Sequence, residues 1–581
     1  MSSTKSLRQR RRHLFLLVAS FSLAVIVASL EPALVMRAEA IAQGSAGRSS
    51  AIKPAPPAPI FDETARHREL AGRRARVAQI VGSTGIMILL SGEPRVYSND
   101  VNYHYRQENN LYYLTNLKQN GATLMLTPGN DALPEILFLP RRNPLRETWT
   151  GRIYSVEEAS RVSGIKEIWD AREFEPFSRA LRHRRPYRPK PENVLMSAAR
   201  PGIMETPEAV ASSFEKLFAA AAAEQAQLFM LMGQQEQRFA AEWASTVPSA
   251  AAATPTSVPV PAPSPVPAPS PSAQGVPRQS LATPSGYVLE NASFIFGHLR
   301  LRKSPMELAL MQHAIDITIE AIERSWVAAA EAKWEYEIDA VVLYTFKLRN
   351  ADHWGYPPIV GCGPNATTLH YEESQGPVKP GDLFLMDVGA EYEHYTADVT
   401  RTFPVSGKFT PEQAAVYQIV FDAQEAGARL ARPGKFVSDV DRAATEVIKD
   451  GLLKLGLITN RDSNQYRLWF MHGTSHWLGM NVHDVGNYGT KLEPGMVFTN
   501  EPGIYVRANA LENMPSGWVA ADWERFKLAI TPAFERYKNM GVRIEDDLLV
   551  TTGDAEWMTK ALPRKISDIE DFIARARREA R

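Results

Sequence analysis

Two aspartates in one stretch of the chain have the spacing to hold metal ions. Residues 383–403 read LFLMDVGAEYEHYTADVTRTF, in which two apolar runs flank a short polar turn, and this pattern predicts a β-hairpin. If the turn is centred between Tyr392 and Glu393, Asp387 and Asp398 face each other at about 5 Å. Two buried like charges at that distance need a cation between them, and a divalent metal pair would serve. From this stretch alone, a hairpin with two solvent-facing acids remains an equal alternative.

A histidine cluster further along the chain supplies ligands of a second type. His472 and His476 are four residues apart, and His483 follows seven residues later. Imidazole is a common metal ligand. Gly473 stands where the HExxH zinc motif requires glutamate, so a helical zinc-protease motif is excluded. The cluster indicates either a metal site or three structural histidines.

Further candidate groups come from separate segments. Glu501 ends an apolar run, Arg543 and Glu545 share one face of a predicted strand, and His370 precedes a tyrosine. Each has a plain structural explanation: a polar residue at a strand end, an exposed ion pair of little energetic worth, or a structural histidine. Taken together, several carboxylates and one imidazole on different elements suit Mn²⁺, Zn²⁺, Co²⁺ or Fe²⁺.

Composition narrows the class of protein. The chain has 581 residues, enough for two or three domains. Lys and Arg number 65, as do Asp and Glu, and this balance argues against a nucleic-acid-binding protein. The single cysteine, Cys362, excludes internal disulfides and cysteine-based metal sites.

The first forty residues are typical of an export signal. A basic segment with Arg8 and three arginines at 10–12 precedes an uncharged apolar run at 14–30, and Ala38-Glu39-Ala40 follows as a cleavage signal. We therefore expect export to the periplasm or cell envelope, with cleavage after Ala40. An uncleaved membrane anchor is the alternative, because the apolar run is at the lower limit for a bilayer span.

The remaining chain divides by composition. The stretch 247–278, dominated by Pro, Ala and Ser, favours extended polyproline II structure and is expected to separate two folded regions. The predicted divisions are a disordered lead-in at 41–60, an α/β domain at 61–205, a helical extension at 206–246, a linker at 247–285, a catalytic domain at 286–562 and a C-terminal, peripheral helix at 563–581.

The second folded region has clear helix signals. Ser304 and Glu307 form a predicted capping box, and Thr410 and Gln413 form another, each with proline at the first helical position. Strands are predicted at 383–388, 395–403, 496–500 and 542–550. Long helices therefore alternate with a mostly antiparallel sheet, which is an α+β arrangement.

The candidate residues lie in four strings that resemble a known family. MDVGAEYEHYTADVTRTFP, HGTSHWLGMNVHDVG, TNEPGIY and VRIEDD are similar, in order and context, to the ligand segments of the pita-bread metallopeptidases. That family includes methionine aminopeptidase, prolidase, aminopeptidase P and the non-metal enzyme creatinase. The HWLG sequence and YRQENNLYYLTNL resemble aminopeptidase P most, and the similarity covers residues 71–182 and 294–552. The resemblance implies a C-terminal pita-bread domain preceded by a smaller α/β domain.

The resemblance also implies a function. It predicts a Xaa-Pro aminopeptidase that acts on proline-containing peptides, using two divalent ions, Mn²⁺ foremost, to activate a hydroxide. The implied metal ligands are Asp387, Asp398, His476, Glu501 and Glu545. Glu501 would also move a proton, His483 would contact the scissile carbonyl, and His370 would orient nearby hydrogen bonds.

Other residues receive roles from the same resemblance. His472, Trp149 and Tyr505 would line the substrate pocket, with Trp149 reaching it across a subunit interface of a homodimer or homotetramer. Arg543 would hold Glu545 in place. Two alternatives remain: a prolidase restricted to Xaa-Pro dipeptides, and a non-catalytic peptide-binding protein of the same fold. An insertion at 509–540, with Trp518 and Trp523, departs from the family pattern and could reshape the cleft.

Overall fold

The N-terminal region is built on a mixed eight-stranded sheet. The computed structural model of the chain describes residues 50–199, 202–231, 233–244 and 280–580. The predicted export signal at 1–40 and the whole proline-rich stretch at 247–278 lie outside the described residues. The strands of this region are β1 (Gly85–Leu90), β2 (Val96–Ser98), β3 (Val101–Asn102), β4 (Thr123–Leu126), β5 (Glu135–Leu139), β6 (Ile168–Asp170), β7 (Val194–Met196), β8 (Ala226–Met230), β9 (Ser280–Ala282) and β10 (Tyr287–Asn291).

The sheet has the order β7-β6-β5-β4-β1-β8-β10-β9, and β2 and β3 form a separate hairpin. Strand β1 is buried along its whole length because both faces of the sheet are covered. One face packs in a core that continues into the catalytic region, and the other packs in a second cluster. The helices of this region are α1 (Glu63–Val81), α2 (Asn109–Thr115), α3 (Pro144–Thr150), α4 (Val156–Ser163), α5 (Phe174–Arg182), α6 (Pro207–Ser212), α7 (Glu215–Ala222), α8 (Gln234–Ala244) and α9 (Ser293–Leu299).

The predicted helical extension at 206–246 is wrong in one respect. Residues Ala226–Met230 form β8, which pairs in parallel with both β1 and β10. Strands β9 and β10, which follow the proline-rich stretch, belong to the same sheet. The strands before and after the proline-rich stretch therefore belong to one sheet, so the stretch does not separate two domains.

The lead-in at 41–60 is also not disordered throughout. Residues 50–60 form a strap along the catalytic region. The backbone N–H of Ala55 donates to Glu320 at 2.7 Å and that of Lys53 to Glu323 at 3.3 Å, while the Ile52 side chain is buried in the core. The Ser50 hydroxyl donates to Glu579 at 2.9 Å, so the strap contacts the last helix of the chain.

The catalytic region alternates long helices with short antiparallel sheets. Both predicted capping boxes are present, at Ser304 and at Thr410. Its helices are α10 (Pro305–Ala328), α11 (Glu335–Leu348), α12 (Pro411–Ala428), α13 (Val437–Leu455), α14 (Ala520–Tyr537) and α15 (Ile566–Ala580). Its strands are β11 (His353–Trp354), β12 (Ile359–Cys362), β13 (Leu383–Val388), β14 (Ala390–Tyr392), β15 (Tyr395–Thr396), β16 (Val399–Pro404), β17 (Val497–Asn500), β18 (Gly503–Val506), β19 (Met540–Arg543), β20 (Asp546–Leu549) and β21 (Glu556–Trp557).

Two helices near the end of the chain pack against the core more closely than the sequence predicts. The insertion at 509–540 folds mainly as α14, whose Phe534 ring lies 6.1 Å from that of Trp469. Helix α15 is not peripheral, because Phe572 is buried 5.3 Å from Trp326. Over the described residues, neither these nor any other helix has the length and apolar character to cross a bilayer.

Candidate active site

The predicted hairpin forms, but its turn lies one residue further along the chain. Asp387 pairs with Thr400, and Tyr392 pairs with Tyr395. The two turn residues between them have φ values of 45° and 68°, the left-handed pair that fits a two-residue hairpin loop. Asp398 is therefore a diagonal neighbour of Asp387 and not its direct partner. It keeps the same face, since side chains alternate with a period of two.

Tyr356, which sequence reasoning missed, lies between the two aspartates. Its hydroxyl is 2.5 Å from Oδ1 of Asp387 and 2.5 Å from Oδ1 of Asp398. Burial, reinforced by both carboxylates, raises the pKa of Tyr356 well above its usual value, so the hydroxyl keeps its proton. One hydroxyl donates a single proton. The second close contact therefore requires a proton on one carboxyl group or a cation nearby.

The other candidate ligands converge around His476. Its Nε2 lies 3.2 Å from Oδ2 of Asp398, 3.3 Å from Oε1 of Glu501 and 3.9 Å from Oε1 of Glu545. Ligand atoms of Asp398, His476 and Glu545 all lie within 4.8 Å of one another. The structure thus brings the predicted ligands from four chain segments into one cluster.

Backbone bonds to neighbouring strands place these side chains. The N–H of Glu501 donates to Thr474 O at 2.8 Å, and the N–H of Thr499 donates to His476 O at 2.9 Å, so β17 fixes the histidine loop. The N–H of Glu545 donates to Thr400 O at 3.1 Å, which joins the last ligand to β16.

The electrostatics of this cluster fit a bound cation. Burial, together with the neighbouring carboxylates, raises the pKa of Asp398 and of Glu545 well above the usual range. Burial likewise raises the pKa of Glu501 to about 7, against the lowering effect of His476 and Arg543. Several acids held this close together favour protons or divalent cations as neutralising partners. Oxygen donors with one imidazole are a suitable set for such cations.

Arg543 supports a different ligand from the one expected. Its Nη2 pairs with Oδ2 of Asp387, while its Nε lies 4.0 Å from Oε2 of Glu545. Glu545 instead accepts a hydrogen bond from the Thr400 hydroxyl at 2.6 Å. Arg543 and Glu545 are both buried, so the alternative of an exposed ion pair is wrong. The predicted strand 542–550 breaks between them into β19 and β20.

Tyr505 is buried behind His472 and does not line an open surface. Its hydroxyl accepts from Arg543 Nη1 at 2.9 Å and lies 2.8 Å from His472 Nε2. His472 Nδ1 lies 2.7 Å from Gly473 O. These partners assign the proton to Nδ1 and leave Nε2 to accept from Tyr505. Burial, followed by the charge on Arg543, lowers the pKa of His472 to about 3, which agrees with a neutral ring.

Two further histidines face the same space. The ring of His483 is 4.3 Å from that of His476 and nearly perpendicular to it. Partial burial and the charges of His476 and His370 lower the pKa of His483 to about 4. His370, which is exposed, also lowers the pKa of His472, so it lies close to both. The predicted histidines therefore gather beside the acid cluster.

Trp149, which was predicted to line the substrate pocket, does not contact the acid cluster in the single chain. It lies on α3 with 89% of its surface exposed.

Comparison with known proteins agrees with this architecture. The profile of metallopeptidase family M24 matches residues 309–552, and that of the aminopeptidase P N-terminal domain matches residues 70–187. The Xaa-Pro aminopeptidase of Haemophilus influenzae is 30% identical over 514 residues, which cover 87% of this chain and 97% of that protein.

Solved structures give the same result. Aminopeptidase PepP from Pseudomonas aeruginosa superposes with a TM-score of 0.66 at 27% identity, covering 89% of this chain and 99% of that one. Proline aminopeptidase P II from Yersinia pestis gives 0.67 at 27% identity, covering 87% and 99%. Fold and site together define a two-domain hydrolase of the metallopeptidase class. The chain belongs to metallopeptidase family M24, with the domain arrangement of aminopeptidase P.

Proposed function

We propose that this protein is a metal-dependent Xaa-Pro aminopeptidase, which releases the N-terminal residue from peptides whose second residue is proline. The observation that carries the proposal is the convergence of four acids and one imidazole around His476 and Tyr356. The names of the Haemophilus, Pseudomonas and Yersinia proteins support the substrate class.

Each residue at the cluster would have a defined task. Asp387, Asp398, His476, Glu501 and Glu545 would hold two divalent cations, and we propose Mn²⁺ because the donor set is rich in oxygen. Bound cations would polarise the scissile carbonyl and make a nearby water acidic enough to react at neutral pH. Glu501, whose carboxylate lies 3.3 Å from His476 Nε2 at the edge of the cluster, would carry a proton from the attacking water to the departing proline nitrogen. His483, neutral at pH 7, would donate a hydrogen bond to the carbonyl oxygen.

The deciding experiment uses purified enzyme and Xaa-Pro-Yaa tripeptides. Chelated enzyme should be inactive, and Mn²⁺ should restore cleavage. Asp387→Ala should lower kcat by at least about a thousandfold, because it removes one of the five candidate metal ligands. Asp462→Ala is the matched control, because this aspartate is 88% exposed and pairs with Arg461. Retained tripeptide cleavage by Asp387→Ala would contradict the proposal. Cleavage of Xaa-Pro dipeptides alone would favour the prolidase alternative.

We also propose that the mature enzyme is exported and begins at Ile41. The basic segment, apolar run and Ala38-Glu39-Ala40 signal support this proposal. N-terminal sequencing of protein recovered from the cell envelope should give Ile41 as the first residue. Intact Met1 on envelope protein would favour the membrane anchor.

Finally, we propose a homo-oligomer in which α3 of one copy reaches the cleft of the next. The exposed Trp149 and Leu145 on one short helix support this proposal, since paired exposed apolar side chains favour a protein interface. Light scattering should give a dimer or tetramer, and Trp149→Ala should raise KM for peptides. A monomer with unchanged KM would contradict it.

A further inference from the structure

Arg106 belongs to the N-terminal region, in the loop before α2, but its guanidinium reaches into the catalytic region. Its Nε lies 2.8 and 3.0 Å from the two carboxylate oxygens of Glu391. Its Nη2 donates to Met480 O at 2.7 Å, and its Nη1 donates to Asn109 Oδ1 at 2.8 Å. One side chain therefore bonds two catalytic segments that are far apart in the sequence.

Both segments lie between candidate active-site residues. Glu391 is in β14, on the hairpin that carries Asp387 and Asp398. Met480 lies on the loop between His476 and His483. Since each segment is short, a shift of Glu391 or of Met480 would move the ligands that flank it.

A backbone bond also joins these two segments directly. The N–H of Thr396, in β15, donates to Gly479 O at 2.9 Å. Arg106 adds a charge-assisted bond to each side of this junction, and such bonds are about twice as strong as neutral ones. Glu391 is buried while the Arg106 side chain is partly exposed, so solvent screens their ion pair only in part.

Asn109 repeats the same bridge from the first turn of α2. Its Nδ2 donates to Asn481 Oδ1 at 2.7 Å, and its Oδ1 lies 3.2 Å from His394 Nδ1. His394 holds the second left-handed position of the hairpin turn, and its ring stacks on Tyr112 at 3.9 Å. Asn109 and Tyr112 of the N-terminal region therefore contact both the hairpin turn and the loop that carries the histidines.

We propose that Arg106 is a positioning residue for the metal centre. It fixes the hairpin of Asp387 and Asp398 relative to the loop of His476 and His483, and it does so without touching substrate. By this arrangement the N-terminal region contributes to metal affinity and turnover. The activity part of this proposal rests on the proposed function, whereas the metal-affinity part is independent of it.

Arg66 provides a matched control. It also crosses between the two regions and forms a two-pronged ion pair, with Glu393 in the same hairpin turn, at 2.8 and 2.9 Å. Its side chain is 23% exposed, compared with 36% for Arg106. Within the described part of the chain, the hydrogen bonds of the Arg66 guanidinium go to Glu393 and none goes to residues 479–481. Loss of Arg66 therefore removes an equivalent ion pair but not the bridge.

The experiment compares Arg106→Ala, Arg106→Lys and Arg66→Ala in the full-length protein. Three quantities are measured: the Mn²⁺ affinity of chelated protein by calorimetry, kcat and KM with a Xaa-Pro-Yaa tripeptide, and Tm. Arg106→Ala should weaken Mn²⁺ binding and lower kcat, each by roughly 10-fold and at most about 100-fold, the range for residues that orient a metal site from outside its ligand set. KM should change little, because Arg106 does not touch substrate. Arg106→Lys should recover only part of both, because one ammonium cannot reproduce the fork.

Arg66→Ala should leave Mn²⁺ affinity and kcat within about threefold of the wild-type values. Equal effects of Arg106→Ala and Arg66→Ala on Mn²⁺ affinity would overturn the proposal, as would a change confined to Tm. If Arg106→Ala does not fold, the same comparison is made with Arg106→Lys. Should wild-type protein leave every tripeptide intact while Arg106→Ala still weakens Mn²⁺ binding, the proposed function fails and the positioning role stands.

Discussion

The hydroxyl of Tyr356 lies 2.5 Å from Oδ1 of Asp387 and equally close to Asp398, so one phenol touches both aspartates of the hairpin. Such a contact orients the carboxylates for a cation and limits their rotation. The tyrosine comes from the loop before β12, which is paired with β13 along its whole length.

Tyr356→Phe should lower kcat/KM and Mn²⁺ affinity by about 10- to 100-fold, since the hydroxyl is lost and the ring volume is kept. Both values can be measured with the tripeptide assay and calorimetry, with exposed Tyr336→Phe as the control. Wild-type activity and affinity in Tyr356→Phe would show that the hydroxyl has no part in the centre.

Arg543→Lys should reduce kcat by about tenfold or more while leaving a positive charge in place. The guanidinium bonds Asp387, Tyr505 and Thr400 through three different nitrogens, a geometry that an ammonium cannot reproduce. The matched control is Arg525→Lys on the surface of α14, where exchange should have no effect. If neither exchange changes kcat, a positive charge next to Asp387 is enough for activity and the guanidinium geometry is not required.

Removal of metal should lower Tm more at pH 8 than at pH 6. Burial and neighbouring carboxylates raise the pKa of Asp398 and of Glu545, so protons can replace cations as pH falls, and this relief is lost as pH rises. Scanning calorimetry of chelated and Mn²⁺-loaded protein at the two pH values tests this directly. A gap in Tm that is constant, or larger at pH 6, would contradict it.

Glu323 and Glu320, which bind the strap at 50–60, should respond to pH with opposite signs. Burial raises the pKa of Glu323 from 4.5 to about 7. The folded protein then binds more protons than the unfolded chain between those values, so the free energy of unfolding falls as pH rises through this window. Glu323→Gln should therefore stabilise the protein at pH 8 relative to pH 5, by on the order of 1–3 kcal/mol.

The pKa of Glu320 is lowered from its usual value. Burial alone would raise this pKa, but hydrogen bonds from Arg349, the Ala55 N–H and Arg324 lower it further than burial raises it. Its contribution to stability is present above pH 4.5 and is lost as pH falls. Glu320→Gln should consequently destabilise the protein most at neutral pH. Thermal melts of the two variants across pH 4–8 would disprove this account if both curves shifted in the same direction.

The insertion helix α14 should be part of the stability of the catalytic region. Phe534 is buried against Trp469, and Phe534→Ala should cost about 3–5 kcal/mol by leaving a cavity. Leu528→Ala, on the same helix but 80% exposed, should change stability by less than about 0.5 kcal/mol. Equal changes in the denaturation midpoints would place α14 outside the core.

Local signals in the sequence were enough to predict the helix starts at Ser304 and Thr410, and the family expectation is confirmed by the comparisons. These helices begin with a capping box and proline, features that act over three residues and can be read directly. The candidate ligands were also recognisable, because acids stood where the apolar pattern required core residues.

Other features depended on contacts that no local pattern reveals. The hairpin turn uses two left-handed residues with none of the usual Asn-Gly or Asp-Gly signals. The centre predicted from sequence is therefore one residue before the observed one. Strand β8 has the alanine- and glutamine-rich surroundings of a helix and is extended because it pairs with β1 and β10. Tyr356 lies in a loop, and its partner carboxylates are 31 and 42 residues away.

The bond between Ser50 and Glu579 has a practical consequence for rearranging this protein. It brings Ser50 next to the last helix of the described chain, so a short peptide could join residue 50 to that helix. A circularly permuted enzyme could then open between α8 and β9, two elements of the N-terminal region. Such a permutant would keep the strap covalently fixed, and its new ends would lie in the N-terminal region instead of beside α15.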